Sequence, residues 1–251
     1  MTASELRIIG VVKLPEVRPG DDLAALIVAA VAQQGTGLEP GDVVVVTQKV
    51  VSKAEGRLVA LAGVKPSAEA ERLAQETGKD PRLAELILRE GVRIVRQREG
   101  VVISETRHGF VCANAGIDAS NAGEGMVSLL PEEPDRSAAA IRAGIIQRTG
   151  VEVAVLISDT FGRPWREGHT NVAVGVAGMS PFMDYVGQRD PHGYELRVST
   201  LAVADELAGA AELVMGKLSG VPVAIVRGYD YPRGCGTARE MVRPPERDLF
   251  R

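Results

Sequence analysis

Three short segments of this 251-residue chain are too continuously apolar and β-branched to lie at a surface. Val43 to Val51 reads VVVVTQKVV, Glu152 to Ser158 reads EVAVLIS, and Val221 to Val226 reads VPVAIV. A half-exposed strand alternates apolar and polar residues, so these runs predict strands in a sheet interior, covered on both faces. Such a sheet needs helices over it. Asp22 to Gln34 is apolar at helical spacing, with Asp21 or Asp22 as its cap after the extended loop imposed by Pro15 and Pro19. Ser137 to Arg148 predicts a helix closed by Gly150, and Val198 to Met215 a long helix rich in Ala and Leu.

The remaining segments suggest a second kind of structure. Ile8 to Val12 and Asn171 to Val176 read as further strands. Residues 67 to 90 carry two helical patterns broken at GKDP, with Leu83, Leu86 and Ile87 on one face of the second. From Val92 to Ala115 the runs RIVRQ, GVVISETR and GFVCANA are separated by the turn-compatible pairs Glu99-Gly100 and His108-Gly109, which predicts a β-meander. The expected class is α+β, with mixed and antiparallel sheets and flanking helices. It is expected as one domain over residues 1–251 with room for two lobes, ending in a mobile Pro- and Arg-rich tail from 229 to 251.

Composition removes several function classes. The charge balance is 29 − 33 = −4, and the basic residues are scattered, which argues against a nucleic-acid partner. The longest apolar stretch, Leu23 to Ala32, is ten residues, about half of the ~20 needed to cross a bilayer, so no membrane span is expected. MTASELRIIG has no signal-peptide pattern, leaving the cytoplasm as the default location. Cys112 and Cys235 alone exclude a disulfide framework or a thiolate zinc cluster within one chain, and both read as buried small hydrophobes.

The common catalytic motifs are missing. Neither G-x-x-x-x-G-K-[ST] nor G-x-G-x-x-G nor G-x-S-x-G occurs, and His108, His169 and His192 are far apart. Two aspartates follow apolar runs: Asp159 after VAVLIS, and Asp118 in NAGIDASN among small residues that permit a ligand to approach the backbone. Strand-end carboxylates suit a hard divalent cation, although an aspartate taken alone at such a position more often serves as a cap or in a turn. SDTFGRPWREGHTN, residues 158 to 171, gathers Arg163, Arg166, Glu167 and His169 around the only tryptophan. It reads either as an anion-gripping loop or as an exposed loop packed down by Trp165. Lys53 could neutralise a phosphate or simply be a solvated charge. Gly216 and Gly220 flank a polar turn and could equally just terminate helix and strand.

Taken together, KLPEV, TQKVVSKAEGR, NAGIDASN, SDTFGRPWREG, VADELAGAAELVMGK and SGVPVAIVRG resemble the coenzyme F-420-0 gamma-glutamyl ligase family from Gly10 to Gly228. The resemblance implies a family-specific α+β fold that is neither P-loop nor ATP-grasp. It implies a GTP-dependent ligase that adds L-glutamate through gamma-linkages to F-420-0, releasing GDP and phosphate. The implied metal ligands are Asp118, Asp159 and Thr160, holding Mg(II) or Mn(II). The implied nucleotide contacts are Leu14, Pro15, Glu16, Val17, Gln48, Lys53 and Asn121, with the turn Met215, Gly216, Lys217, Leu218, Ser219, Gly220, Val221 and Pro222. A homodimer is implied, and a requirement for a monovalent cation such as K+ is left open.

One position departs from the pattern. Where some members offer a Gln or Glu oxygen to a second metal, this chain has Lys217, and an ammonium cannot ligate a cation. Either other groups hold that metal or Lys217 replaces part of its charge.

The residues suit amide formation through an acyl phosphate, because phosphoryl transfer is mainly positioning and charge neutralisation. Arg163, Arg166 and Lys53 are the expected catalytic cations. The alternatives are a ligase of the same fold acting on another acid acceptor and a non-catalytic GTP- and metal-binding module.

Overall fold

The structure, a computed structural model, describes residues 5–249, so residues 1–4 and the last two of the tail lie outside it. In chain order its elements are β1 (Arg7–Gly10), α1 (Leu23–Gln34), β2 (Val43–Thr47), α2 (Gln48–Ala54), β3 (Leu58–Ala60), α3 (Ala68–Thr77), α4 (Pro81–Glu90), β4 (Gly91–Arg98), β5 (Val101–Thr106), β6 (Val111–Ala113), β7 (Met126–Ser128), α5 (Pro134–Thr149), β8 (Ala154–Arg163), β9 (Arg166–Ala177), β10 (Met183–Asp184), β11 (Thr200–Leu201), α6 (Val203–Met215) and β12 (Val223–Arg227). The class is α+β with mixed and antiparallel sheets, as expected from the sequence.

The three apolar runs supply the middle of a five-stranded sheet of order β1-β12-β2-β8-β9. Only β2 and β8 pair in parallel in that sheet. Successive side chains point to opposite faces, and both faces are covered. Val44, Val46, Val155, Ile157, Val223 and Ile225 pack with α1 and α5 on one side. Val43, Val45, Ala154, Leu156, Ala224 and Val226 pack with α6 on the other. At ~25 cal/mol per Å² of apolar surface, two buried faces explain why no polar residue interrupts Val43–Val46.

Helix ends follow local chemistry. Asp22 caps α1 by accepting from the Ala25 amide at 3.0 Å, and Gly35 and Gly150 close α1 and α5 in the left-handed conformation. Gly144 lets these two helices touch, since a Cβ there would lie 2.6 Å from Ala24 Cβ.

A second core of Leu73, Ala84, Leu86, Ile87, Val102, Ile117 and Leu129 joins α3 and α4 to the expected meander β4-β5-β6 and the β3-β7 pair. The chain leaves β6 through residues 114–116 and delivers Asp118 opposite Ser128.

Several local expectations are corrected. The run at Val43 is strand only to Thr47; Gln48–Ala54 is a helix, whose Val50 and Val51 still reach the core. A short apolar run does not distinguish the two, because either conformation can bury adjacent valines. The last long helix starts at Val203, and Thr200–Leu201 instead pairs with Met183–Asp184. Residues 158–171 form a β-hairpin, and Trp165 at its tip is 80% exposed with φ +64. Cys112 is buried, but Cys235 is exposed. In the tail, Tyr231 and Ala238 are buried, and the Ala238 amide donates to Asp135 Oδ1 at 2.8 Å. No described helix is long and apolar enough to cross a membrane.

Candidate active site

The parallel pair ends in register at Thr47 and Ser158. Beyond that point β2 turns into α2 while β8 continues, so Asp159 and Thr160 are the first β8 residues without β2 beside them. A cavity of about 540 Å³ opens here, at the carboxyl ends of the parallel strands, where ligands commonly bind in α/β sheets. The loop Leu14–Val17, the segment around Asn121 and the turn after α6 complete its walls.

Three lysines meet carboxylates around this cavity. Lys49 Nζ lies 2.7 Å from Asp118 Oδ2 and also donates to Ser120 Oγ. Asp118 in turn accepts from the Ser120 amide at 2.7 Å. Lys53 Nζ lies 2.5 Å from Glu16 Oε1, and Lys217 Nζ lies 3.5 Å from Glu212 Oε1. Lys217 also donates to Thr160 Oγ1. Thr160 Oγ1 is 2.7 Å from Asn171 Oδ1, and Asn171 Nδ2 is 2.8 Å from Glu212 Oε2.

The two aspartates are electrostatically unlike. Burial pushes Asp118 up, but hydrogen bonds from Lys49 and Ser120 and the Lys49 charge outweigh it and leave its pKa below the usual carboxylate value. Asp159 is pushed up to about 7 by burial, with the charge of Asp118 adding to the shift against the hydrogen bond from the Thr160 amide. Cys112, desolvated and facing the Asp159 charge, is pushed up to about 12 and is held as an inert thiol.

The oxygen donors suit a hard divalent cation: two carboxylates of different polarity and the Thr160 hydroxyl. Among the described residues no three His, Cys, Asp or Glu side chains come together as a metal cluster. A cation here would therefore draw its remaining ligands from substrate oxygens and water, as Mg(II) commonly does. Two buried polar atoms on the cavity wall, Gln48 Nε2 and Ser158 Oγ, have no protein partner and are available to a ligand.

Most of the residues expected from the sequence meet here. Leu14, Pro15, Glu16, Val17, Gln48, Lys53, Asn121, Asp159, Thr160, Gly216, Lys217, Leu218, Gly220, Val221 and Pro222 line the cavity. Asp118 is tied to it through Lys49. Met215 is buried beneath the turn, and Ser219 folds back onto the Met215 carbonyl, so neither lines the wall. Arg163 and Arg166 sit at the exposed end of the β8-β9 hairpin, outside the lining, with Arg163 Nη2 held 2.5 Å from the Glu167 carbonyl.

Lys49, Asn171 and Glu212 were not anticipated. Lys49 lies within a run that reads as strand interior, whereas on α2 it is four residues from Lys53 and shares its face. Asn171 and Glu212 stand at ordinary strand and helix positions and carry no local signal.

Similarity to known proteins identifies the family. The family described as F420-0:Gamma-glutamyl ligase matches residues 11–228. The chain is 50% identical over 249 residues to the coenzyme F420:L-glutamate ligase of Methanothermobacter thermautotrophicus, covering 98% of this chain and 99% of that protein. It is 48% identical to the protein of the same name from Methanopyrus kandleri, over 94% of each, and 45% identical to that of Methanocaldococcus jannaschii, over 85% of this chain and 86% of that protein. With the family matched from just after β1 through β12, across the meander and the whole cavity wall, the chain belongs to the F420-0:Gamma-glutamyl ligase family and is an amide-forming ligase.

Proposed function

We propose that this ligase attaches L-glutamate, in gamma-linkage, to F-420-0 at the expense of GTP. The observation that carries the reading is the convergence of Lys49, Lys53, Lys217, Asp159 and Thr160 on one cavity at the ends of β2 and β8, with Asp118 joined to it through Lys49. Each of the three ammonium groups can exchange its carboxylate partner for phosphate oxygens of a nucleoside triphosphate, while the oxygen donors would hold the divalent cation that accompanies it. The family description supplies the acceptor F-420-0, and the names of the relatives supply L-glutamate.

In this reading Asp118, Asp159 and Thr160 hold Mg(II) or Mn(II), which when bound neutralises phosphate charge. Lys53 and Lys49 face the phosphates, and Leu14–Val17, Gln48, Asn121 and the turn from Gly216 to Pro222 enclose the nucleotide. The acceptor carboxylate takes the γ-phosphoryl group, GDP leaves, and the glutamate amine attacks the acyl phosphate and releases phosphate. Arg163 and Arg166, on the projecting hairpin, grip the anionic acceptor.

The test measures phosphate release from GTP with Mn(II) and L-glutamate, with and without F-420-0, followed by mass spectrometry of the acceptor. A gain of one glutamyl mass that requires all four components is expected. GTP binding without acceptor-dependent turnover would overturn the reading.

A further inference from the structure

Hydrogen-bond direction around Thr160 is set from both ends of one network. An ionised carboxylate only accepts, so Glu212 Oε2 obliges Asn171 to turn its amide nitrogen toward α6 and its carbonyl oxygen toward Thr160. A carbonyl oxygen also only accepts, so the single Thr160 hydroxyl proton points to Asn171 Oδ1. At the other end, an ammonium only donates, so Lys217 Nζ must use a lone pair of the same Thr160 oxygen. Both ends demand the same polarity. Lys217 also sits 3.5 Å from Glu212 Oε1, which closes the ring. Asn171 is 3% exposed, so no water competes freely for its amide.

We propose that Glu212 and Asn171 are positioning residues that hold the Thr160 hydroxyl as an acceptor toward the cavity, so that this oxygen is permanently ready for a cation. The proposal rests on the placement of a divalent cation at Thr160 given above. Without Glu212 the Asn171 amide is free to turn over and donate to Thr160 Oγ1, which would consume the lone pair and send the hydroxyl proton into the cavity. A cation would then meet the wrong end of a dipole. Groups that orient a metal ligand commonly contribute 10- to 100-fold in metal affinity, so an effect of about tenfold is expected here.

The experiment is a Mn(II) titration of the full chain with GTP, following free Mn(II) by electron paramagnetic resonance. Wild type, Glu212→Gln, Thr160→Val and the double variant form a cycle. Glu212→Gln is expected to weaken Mn(II) binding about tenfold in the wild-type background and to have no further effect in the Thr160→Val background. Thr160→Ser, which keeps the hydroxyl, is expected to restore the full sensitivity to Glu212→Gln. Glu212 acting only as a negative charge would give equal losses in the wild-type and Thr160→Val backgrounds, and that additivity overturns the proposal, as does unchanged affinity in Glu212→Gln. Unchanged Mn(II) binding in Asp159→Asn would instead overturn the metal placement itself, so the two failures are distinguishable.

Discussion

Lys49 Nζ and Asp118 Oδ2 stand 2.7 Å apart, one from the helix that interrupts an apolar run and the other from a loop beyond the meander. The pair keeps Asp118 ionised while Asp159 is pushed up to about 7. Lys49→Met is expected to lower kcat/KM for GTP about 100-fold, the scale of losing one preorganised charge at a reacting phosphate. Both partners are partly exposed, so the stability cost should be only about 0.2–1 kcal/mol. Steady-state kinetics beside urea unfolding check both figures, and an unfolded variant or one with wild-type kcat/KM contradicts the assignment.

Asp159 links stability to pH. An acid whose pKa is higher in the fold than in the unfolded chain keeps its proton longer when folded, so metal-free stability falls as pH rises from about 4 to about 7. Asp118, whose pKa is lowered, acts below that window and with the opposite sign. The difference in unfolding free energy between wild type and Asp159→Asn, measured without divalent cations, should therefore move against the wild type across this range. A pH-independent difference would show that Asp159 is solvated.

The same substitution separates fold from chemistry. Asp159→Asn is expected to abolish turnover while the circular dichroism spectrum and the melting transition survive, because the side chain lies at the cavity and outside both sheet cores. Metal-dependent turnover in that variant would remove Asp159 from the site.

Arg163 and Arg166 lie outside the cavity lining, so their effect should appear on the acceptor and not on the nucleotide. Each change to Ala is expected to lower kcat/KM for F-420-0 and leave GTP affinity unchanged in a direct titration. If both variants keep wild-type kcat/KM, the hairpin has no part in binding the acceptor.

The doubly covered sheet makes its own prediction. Leu156→Ala removes a fully buried side chain beneath α6 and should cost about 2–5 kcal/mol, whereas Val198→Ala, at an exposed position, should stay within about 0.5 kcal/mol. Denaturant titrations with matched m-values measure both, and similar losses at the two positions would contradict the packing.

Much of this molecule follows from local sequence. Runs such as VVVV and VAVLI already require strands covered on two faces, because burying an unpaired polar group there would cost more than an apolar residue gains. Asp22, Gly35 and Gly150 mark helix ends because capping depends on one side chain or one left-handed residue. The segments that carry Asp118, Asp159 and the glycine-bounded turn after α6 were legible for the same reason: short polar stretches follow apolar ones.

Only the tertiary structure decided where the Val43 run stops being strand, and which polar side chains meet. Val50 and Val51 satisfy the core equally from a helix, so the break at Thr47 is set by where β2 leaves β8. Lys49 reaches Ser120 across 71 residues, and Asn171 reaches Glu212 across 41. Such pairings depend on strand register and on the side of the sheet each connection takes, and these are fixed by the packing of whole faces, not by the residues that end up touching.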